Sequence, residues 1–178
     1  CTYIYTNLLG NESGRLIFDG DAQIAINGDL IASSPRFSYK AYTLTSAVVD
    51  TDISAVDFTK VKGPIKPNPN KVSFNFKWPE DVKPSYTTAE LEPFEKGGSL
   101  KEEEFARAVS LALFDYLRKS YSQGFTISLS GGADSSACTA LCGLMIRLAD
   151  ESIGFDALKK RLGHINKIQD CKNDEEIS

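Results

Sequence analysis

The segment that most restricts how this chain can fold is a serine- and glycine-rich loop between two apolar stretches. Residues 125–129 form a compact β-type run, and the loop reads Ser-Gly-Gly-Ala-Asp-Ser over 130–135. Apolar residues then recur at helical spacing over 137–148. This order predicts a strand, a tight turn and a helix that begins near residue 135, the opening of an α/β domain with a parallel sheet.

The loop has the chemistry of a phosphate-binding turn. Gly131 and Gly132 let the backbone approach a ligand, and the amides of the following helix carry partial positive charge. Ser130 and Ser135 add hydroxyl donors. Asp134 would repel a phosphate, so we expect it to hold a bridging Mg²⁺ together with phosphate oxygens.

Other glycine-rich motifs fit this loop less well. No lysine follows the glycines, so the GxxxxGK[ST] pattern is absent, and neither GxGxxG nor the GxSxG nucleophile elbow is present. The alternative without function is that Ser-Gly-Gly is an ordinary turn and Asp-Ser an ordinary helix N-cap. The strand–loop–helix context favours the phosphate-binding interpretation.

Composition indicates an ordinary globular protein and argues against a nucleic-acid partner. The 178 residues are 42% hydrophobic and 25% charged, with a formal net charge of −4. A mildly acidic chain is a poor candidate for binding nucleic acid through phosphate neutralisation. Neither a membrane-spanning run of ~20 apolar residues nor a signal sequence is visible, and we expect a cytoplasmic location.

The first sixty residues predict short β-strands that complete a sheet begun before residue 1. Asn27-Gly28 is a strong hairpin signal, and residues 7–14 have the composition of a turn. The predicted strands cover residues 2–6, 15–20, 22–26, 29–33 and 42–50. 

A proline-rich connector follows these strands. Six of the seven prolines lie between residues 64 and 93, so this segment cannot form long helices or central strands. Phe74, Phe76 and Trp78 alternate within it, either to pin the connector to a domain or as a short isolated strand. Both interpretations stay open.

Helices are predicted beyond the connector. Ser99 and Glu102 fit a capping box before an apolar stripe that ends between residues 120 and 124. A short helix is predicted at 156–162, with residues 159–161 as a solvated basic face rather than a phosphate contact and His164 in a structural role.

The four cysteines do not indicate a disulfide framework or a zinc site. Cys138 and Cys142 are expected as small buried residues of the helix after the loop. Cys1 is not expected to be a nucleophile, because it precedes a strand without an elbow.

On these residues the chain resembles two parts of known enzymes. The loop at 130–135 resembles the SGGxDS pyrophosphate loop of the N-type ATP pyrophosphatases, a group that includes NAD, GMP and asparagine synthetases and tRNA-thiolating enzymes. Residues 3–10 and 14–20, the Asn-Gly hairpin and residues 34–37 resemble the end of the nitrilase-like glutaminase domain of glutamine-dependent NAD synthetases.

The resemblance implies an α/β fold in three parts. Residues 1–60 would be the C-terminal part of a nitrilase-like α-β-β-α sandwich, and residues 61–98 a connector. Residues 99–178 would begin a Rossmann-like PP-loop domain of the adenine nucleotide α-hydrolase type.

The resemblance also implies an activity. Such enzymes amidate deamido-NAD to NAD through an adenylated intermediate, with ammonia from glutamine and release of AMP and pyrophosphate. ATP would be a substrate and Mg²⁺ a cofactor held by Asp134. The implied ATP-binding residues are Ser128, Leu129, Ser130, Gly131, Gly132, Ala133, Asp134 and Ser135.

Several parts of that activity would lie outside this segment. The glutaminase Glu-Lys-Cys set is expected upstream and the deamido-NAD pocket downstream, so no catalytic residue is assigned here. A homo-oligomer is implied. The alternatives are another member of the group, such as a GMP synthetase-like or tRNA-thiolating enzyme, and a non-catalytic structural segment.

Overall fold

The computed structural model describes residues 2–12, 14–50, 74–77, 83 and 90–177. The chain is a mixed α/β structure, as predicted, and divides into two compact units that alternate along the sequence. The first unit comprises the described residues of 1–6, 22–34 and 44–90, and the second those of 7–21, 35–43 and 91–178. The predicted domain boundaries at 60 and 98 stay a prediction.

The first unit contains a three-stranded antiparallel sheet. Its strands are β1 (Thr2–Thr6), β4 (Ala22–Ile26) and β5 (Asp29–Ser33), in the spatial order β1-β4-β5. Asn27 and Gly28 join β4 to β5 with φ of 51° and 102°, the left-handed pair that a tight hairpin turn requires. These three strands and the hairpin confirm the sequence prediction.

The second unit begins with a hairpin of β2 (Leu9–Glu12) and β3 (Leu16–Asp19). The prediction of a turn over 7–14 was therefore wrong. Gly10 has a φ of 92°, and a Cβ there would collide with the carboxylate of Asp115. The glycine that suggested a turn instead permits a close approach within a strand.

Helices build the rest of this unit. They are α1 (Leu100–Ser120), α2 (Ala133–Ile153), α3 (Phe155–Arg161), α4 (Asn166–Gln169) and α5 (Asp174–Ile177), preceded by a 3₁₀ helix at Pro93–Lys96. The predicted helices before and after the loop, and the short helix after residue 155, are confirmed. α1 carries acidic residues in its first turn and basic residues in its last, which complements the helix dipole.

The capping box predicted at Ser99 does not form. Ser99 is the N-cap of α1, but its side chain makes no capping hydrogen bond, and its ψ of 40° departs from the extended geometry usual for a cap. A capping box forms instead at the preceding 3₁₀ helix, where the amide of Glu92 donates to Glu95 Oε2 at 2.9 Å.

The core of the second unit lies between α1, α2 and the segment after α2. Tyr39, from the segment before the connector, joins this core with its ring edge-on to Phe114 at 5.1 Å. The buried core members are Phe37, Tyr39, Leu111, Phe114, Leu117, Met145, Ile146, Leu148, Ala149, Leu158, Leu162, Ile165 and Ile168. 

Two predicted strands are absent from the described part of the chain. Residues 42–50 and 125–129 are not strands, and both Phe125 and Leu129 are exposed. A strand requires a hydrogen-bonded neighbour, and no described segment pairs with either run. The parallel sheet expected after the loop is therefore not seen among the described residues.

Side chains elsewhere also depart from expectation. Phe74 and Phe76 are exposed and form no strand, while Trp78, Cys1 and most of the connector lie outside the described residues. Cys138 is exposed and Cys142 half-buried, so the expectation that both are buried was wrong. Among the described residues, no helix is both long and apolar enough to cross a membrane.

Candidate nucleotide-binding site

The glycine-rich loop is carried by the exposed end of a helix whose other end is packed. α2 has 21 residues, and buried side chains begin only at Met145. Its last turns pack in the core through Met145, Ile146, Leu148 and Ala149, whereas residues 136–140 are exposed. The packed end holds the helix in place and leaves its N-terminus open to a ligand.

The turn itself depends on backbone geometry. Gly131 has a φ of 79°, a region that L-residues with side chains rarely adopt. No atom lies within 4 Å of a Cβ placed on Gly131, so conformation rather than space requires glycine there. Gly132 follows as the N-cap of α2 in extended geometry, with φ of −86° and ψ of 167°.

Serine hydroxyls close the loop onto the first turn of α2. The Ser130 amide donates to Ser135 Oγ at 3.3 Å, and the two hydroxyl oxygens also lie 3.3 Å apart. The hydroxyls of Ser135 and Ser136 donate to the carbonyl of Gly132 at 3.2 and 2.9 Å. The loop is thus preorganised by its own side chains.

This arrangement is suited to binding an anion. In an α-helix the first amides have no intrahelical acceptor, and in α2 these belong to Ala133, Asp134 and Ser135. They carry the positive end of the helix dipole, next to the hydroxyls of Ser130 and Ser135. Of the eight predicted residues, the structure brings 130–135 together in one turn, while Ser128 and Leu129 lead into it in an exposed segment.

Asp134 is exposed in the first turn of α2. Within the described ranges, no group of three or more His, Cys, Asp or Glu side chains is placed to hold a metal ion. Mg²⁺ commonly takes one or two carboxylates together with substrate phosphates and water. Asp134 therefore fits such an ion as one ligand beside bound phosphates, and not as part of a protein-only metal site.

The sequence prediction missed a charged centre next to the β2–β3 hairpin. The side chain of Asp115 is only 8% exposed, accepts the Asn11 amide at 2.9 Å, and pairs with Arg118 at 2.9 Å and Lys119 at 3.2 Å. Burial alone would raise the pKa of Asp115, but the Asn11 amide and the two cations hold it below its usual range. A carboxylate within the apolar stripe of α1, followed by cations three and four residues later, is the signal that could have revealed it.

A second charged centre surrounds Arg36, within the 34–37 segment. Its guanidinium pairs with Asp19 at 3.0 Å, Glu95 at 2.8 Å and Glu104 at 2.7 Å. Burial opposes the charged form, but the three carboxylates raise the pKa of Arg36 above its usual value. Arg36 thereby ties β3 and the 3₁₀ helix to α1 within the second unit.

A preorganised anion-binding turn on a helix of a mixed α/β fold defines the class: an α/β protein with a candidate nucleotide-binding loop. No known protein-family model matches the chain. Glutamine-dependent NAD(+) synthetase of Oryza sativa subsp. indica is 34% identical over 193 residues, covering 99% of this chain and 25% of that protein. The human glutamine-dependent NAD(+) synthetase is 32% identical over 148 residues, covering 78% and 20%.

A solved structure agrees with these sequences. The glutamine-dependent NAD(+) synthetase of Cytophaga hutchinsonii is 36% identical with a TM-score of 0.60, over 92% of this chain and 20% of that one. The chain is therefore a relative of the glutamine-dependent NAD(+) synthetases, which confirms the resemblance seen in the sequence. It spans about a quarter of the length of the curated relatives it matches.

Proposed function

We propose that this chain supplies the ATP-binding loop of a ligase that amidates deamido-NAD to NAD with ammonia from glutamine. The observation that carries the proposal is the preorganised turn at 130–135 on the open N-terminus of α2. The names of the relatives support the choice of reaction, because each one cited is a glutamine-dependent NAD(+) synthetase. A GMP synthetase-like or tRNA-thiolating enzyme receives no such support.

The loop would act on the ATP half of the reaction. A carboxylate is a poor electrophile, so adenylation of the nicotinate carboxylate gives it a leaving group, and pyrophosphate departs from ATP. Charge grows on that pyrophosphate as the bond breaks. The amides of Ala133, Asp134 and Ser135 would stabilise it without rearranging, and the hydroxyls of Ser130 and Ser135 would turn from their contacts within the loop to donate to it.

The residues before the loop would line the same site. Ser128 and Leu129 are exposed and lead directly into Ser130. Mg²⁺, when bound, would neutralise phosphate charge and polarise the phosphoryl oxygens. In this chain Asp134 would hold it, as the carboxylate in the first turn of α2.

We also propose the division into a glutaminase end at 1–60, a connector at 61–98 and the start of the synthetase domain at 99–178. One supporting feature is that β1 lies at the edge of its sheet with Tyr3 and Ile4 exposed. Apolar edge strands are usually covered or paired, as β1 would be in a larger nitrilase-like sandwich. The homo-oligomeric state implied by the resemblance and the cytoplasmic location expected from the sequence stay predictions.

Equilibrium dialysis of the full chain with ATP, with and without Mg²⁺, tests the proposal. Wild type should bind ATP more tightly with Mg²⁺ than without it. In Asp134→Asn the ratio of the two dissociation constants should fall by about tenfold, since one charged contact is removed. Asp150→Asn makes the same change at the packed end of α2 and should behave as wild type.

Two results would contradict the proposal. If Asp134→Asn keeps the full Mg²⁺ advantage, Asp134 does not hold the ion. If wild type binds no ATP although its cooperative unfolding shows that it is folded, the loop does not bind the nucleotide in this chain.

A further inference from the structure

A group of cationic side chains surrounds an open cavity at the C-terminal ends of α1 and α3. The cavity has a volume of about 460 Å³. It is lined by Arg118, Tyr121, Lys160, Arg161, Gly163 and His164, all within the second unit. Three cationic side chains and a histidine thus face one space that uses no residue of the 130–135 loop.

The basic cluster at 159–161 is not one solvated face, contrary to the sequence prediction. Lys159 turns away, and its ammonium donates to the carbonyls of Gln169 at 2.6 Å and Cys171 at 3.0 Å. Lys160 and Arg161 line the cavity instead. The helical turn of α3 therefore separates a structural lysine from two cavity cations.

Arg161 is half-buried, and among the described residues no carboxylate lies within ion-pair distance of its guanidinium. It donates to the carbonyl of Tyr39, and its guanidinium lies 6.0 Å from the centre of the Phe114 ring. Burial and the positive charge of Arg118 lower the pKa of Arg161, and the negative charge of Asp115 only partly offsets them. A guanidinium has five N–H donors, so this group retains capacity for an oxyanion.

The remaining charges do not neutralise the cavity. Arg118 contacts Asp115 through Nε at 3.3 Å and Nη2 at 2.9 Å, but Asp115 also pairs with Lys119 at 3.2 Å. One carboxylate therefore serves two cations. Lys160 is exposed, and in the described part of the chain no carboxylate pairs with it. Positive charge is in excess around the cavity.

Hydrogen bonds and a ring contact hold the wall of the cavity in place. The Nε2 of His164 lies 3.0 Å from the carbonyl of Ser122, and the side-chain amide of Gln123 donates to the His164 carbonyl at 3.1 Å. The rings of Tyr121 and His164 meet edge to face at 5.4 Å. These contacts fix the segment after α1 against the segment after α3.

We infer that the cavity lined by Arg118, Lys160 and Arg161 is a binding site for a multivalent oxyanion. Arginine presents a planar fork that matches phosphate or carboxylate oxygens, and lysine adds a mobile point charge. A bound anion would supply the countercharge that Asp115 cannot provide to all of these cations. The inference is independent of the proposed function, because it involves none of the loop residues.

The test is an amide-resolved NMR titration of the full chain at constant ionic strength. Sodium pyrophosphate is the phosphate probe and sodium citrate the carboxylate probe. The signals of Gly163 and His164 report on the cavity, and those of Gly131 and Gly132 report separately on the loop. Saturable shifts at Gly163 and His164 are expected, and the tighter probe identifies which oxyanion the site takes.

A matched pair of variants isolates the cavity charge. Lys160→Gln should raise the dissociation constant of the probe, measured from the Gly163 signal, by about tenfold, as expected for loss of one charge-assisted contact. Lys172→Gln removes the same charge from an exposed lysine outside the cavity and should leave it unchanged. Equal affinity in Lys160→Gln and wild type, or no shift at Gly163 with either probe, would overturn the inference.

Discussion

The two halves of α2 differ in burial, and we expect one half to stabilise the second unit and the other to carry the proposed binding loop. The C-terminal half buries Met145, Ile146, Leu148 and Ala149 in the core. The N-terminal half carries the loop at 130–135 and is exposed through residue 140, with Ser135 half-buried. The same helix is thus packed at its C-terminal end and exposed at its N-terminal end, where the proposed ligand would bind.

The comparison shows why loop chemistry and fold stability can vary independently here. Free energy of unfolding comes from apolar area removed from water, which is concentrated at the far end of α2. The loop contributes amides, hydroxyls and a carboxylate, whose value lies in contacts with a ligand. Matched substitutions at the two ends should therefore have opposite or very unequal effects.

The largest difference is expected for removal of an apolar side chain. Ile146→Ala should lower the free energy of unfolding by about 2–5 kcal/mol, because it leaves a cavity in a packed region. Leu129→Ala removes a 66% exposed side chain beside the loop and should change stability by less than about 0.5 kcal/mol. Urea unfolding followed by circular dichroism measures both, and similar losses would refute the division.

A second pair compares carboxylates. Asp115→Asn should cost about 1–3 kcal/mol, because it weakens contacts with Asn11, Arg118 and Lys119 in a buried setting. Asp134→Asn should leave stability within about 0.5 kcal/mol of wild type. The midpoints of urea unfolding at neutral pH compare the two variants with wild type, and equal midpoints for the two variants would contradict the prediction.

The carboxylate of Asp115 also predicts that the free energy of unfolding depends on pH. The folded-state pKa of Asp115 is lowered, so its contribution is complete above the unfolded value of about 3.9 and is lost as pH falls through the folded value. Wild type should lose stability in this acidic range more steeply than Asp115→Asn. Parallel pH profiles of the two proteins would contradict this.

Glycines provide a third and smaller contrast. Gly131→Ala forces a side chain into positive φ and should cost about 1–2 kcal/mol. Gly143→Ala makes the same change inside α2, where a Cβ meets no atom within 4 Å, and should gain about 0.5–1 kcal/mol. Thermal unfolding should move in opposite directions, and a shift of the same sign would show that the loop conformation is not required.

The smallest effect is expected at the exposed ion pair between Arg147 and Glu151, which lies 3.7 Å apart on α2. Glu151→Gln should change stability by less than about 0.5 kcal/mol, since solvent and salt screen such pairs. Repeating the measurement in high salt should abolish even that change. A loss comparable to that of Asp115→Asn would remove the distinction between buried and exposed charge.

Local patterns predicted much of the fold because they depend on neighbouring residues. β4, β5 and the Asn27-Gly28 turn appear where the alternation and turn residues place them. The helices around the loop follow from their apolar spacing. The loop prediction had the same origin, since glycines before a helix determine the anion-binding geometry locally.

Predictions failed where the outcome depended on a distant partner. Residues 125–129 have strand composition, but no described strand pairs with them. Gly10 suggests a turn in sequence but lies in β2, and the reason for a glycine there is Asp115, which approaches it from more than a hundred residues away. Neither the partner nor its absence is visible in a local window.

The sequence by itself therefore determined α1, α2, α3 and the β4–β5 hairpin and indicated the loop at 130–135, because hydrophobic periodicity, turn residues and helix ends act over a few residues. The tertiary structure alone decided which charges meet. It placed three carboxylates around Arg36 and turned Lys160 and Arg161 toward a shared cavity while Lys159 turned away. Electrostatic contacts of this kind join residues far apart in the chain, and only packing brings them within reach.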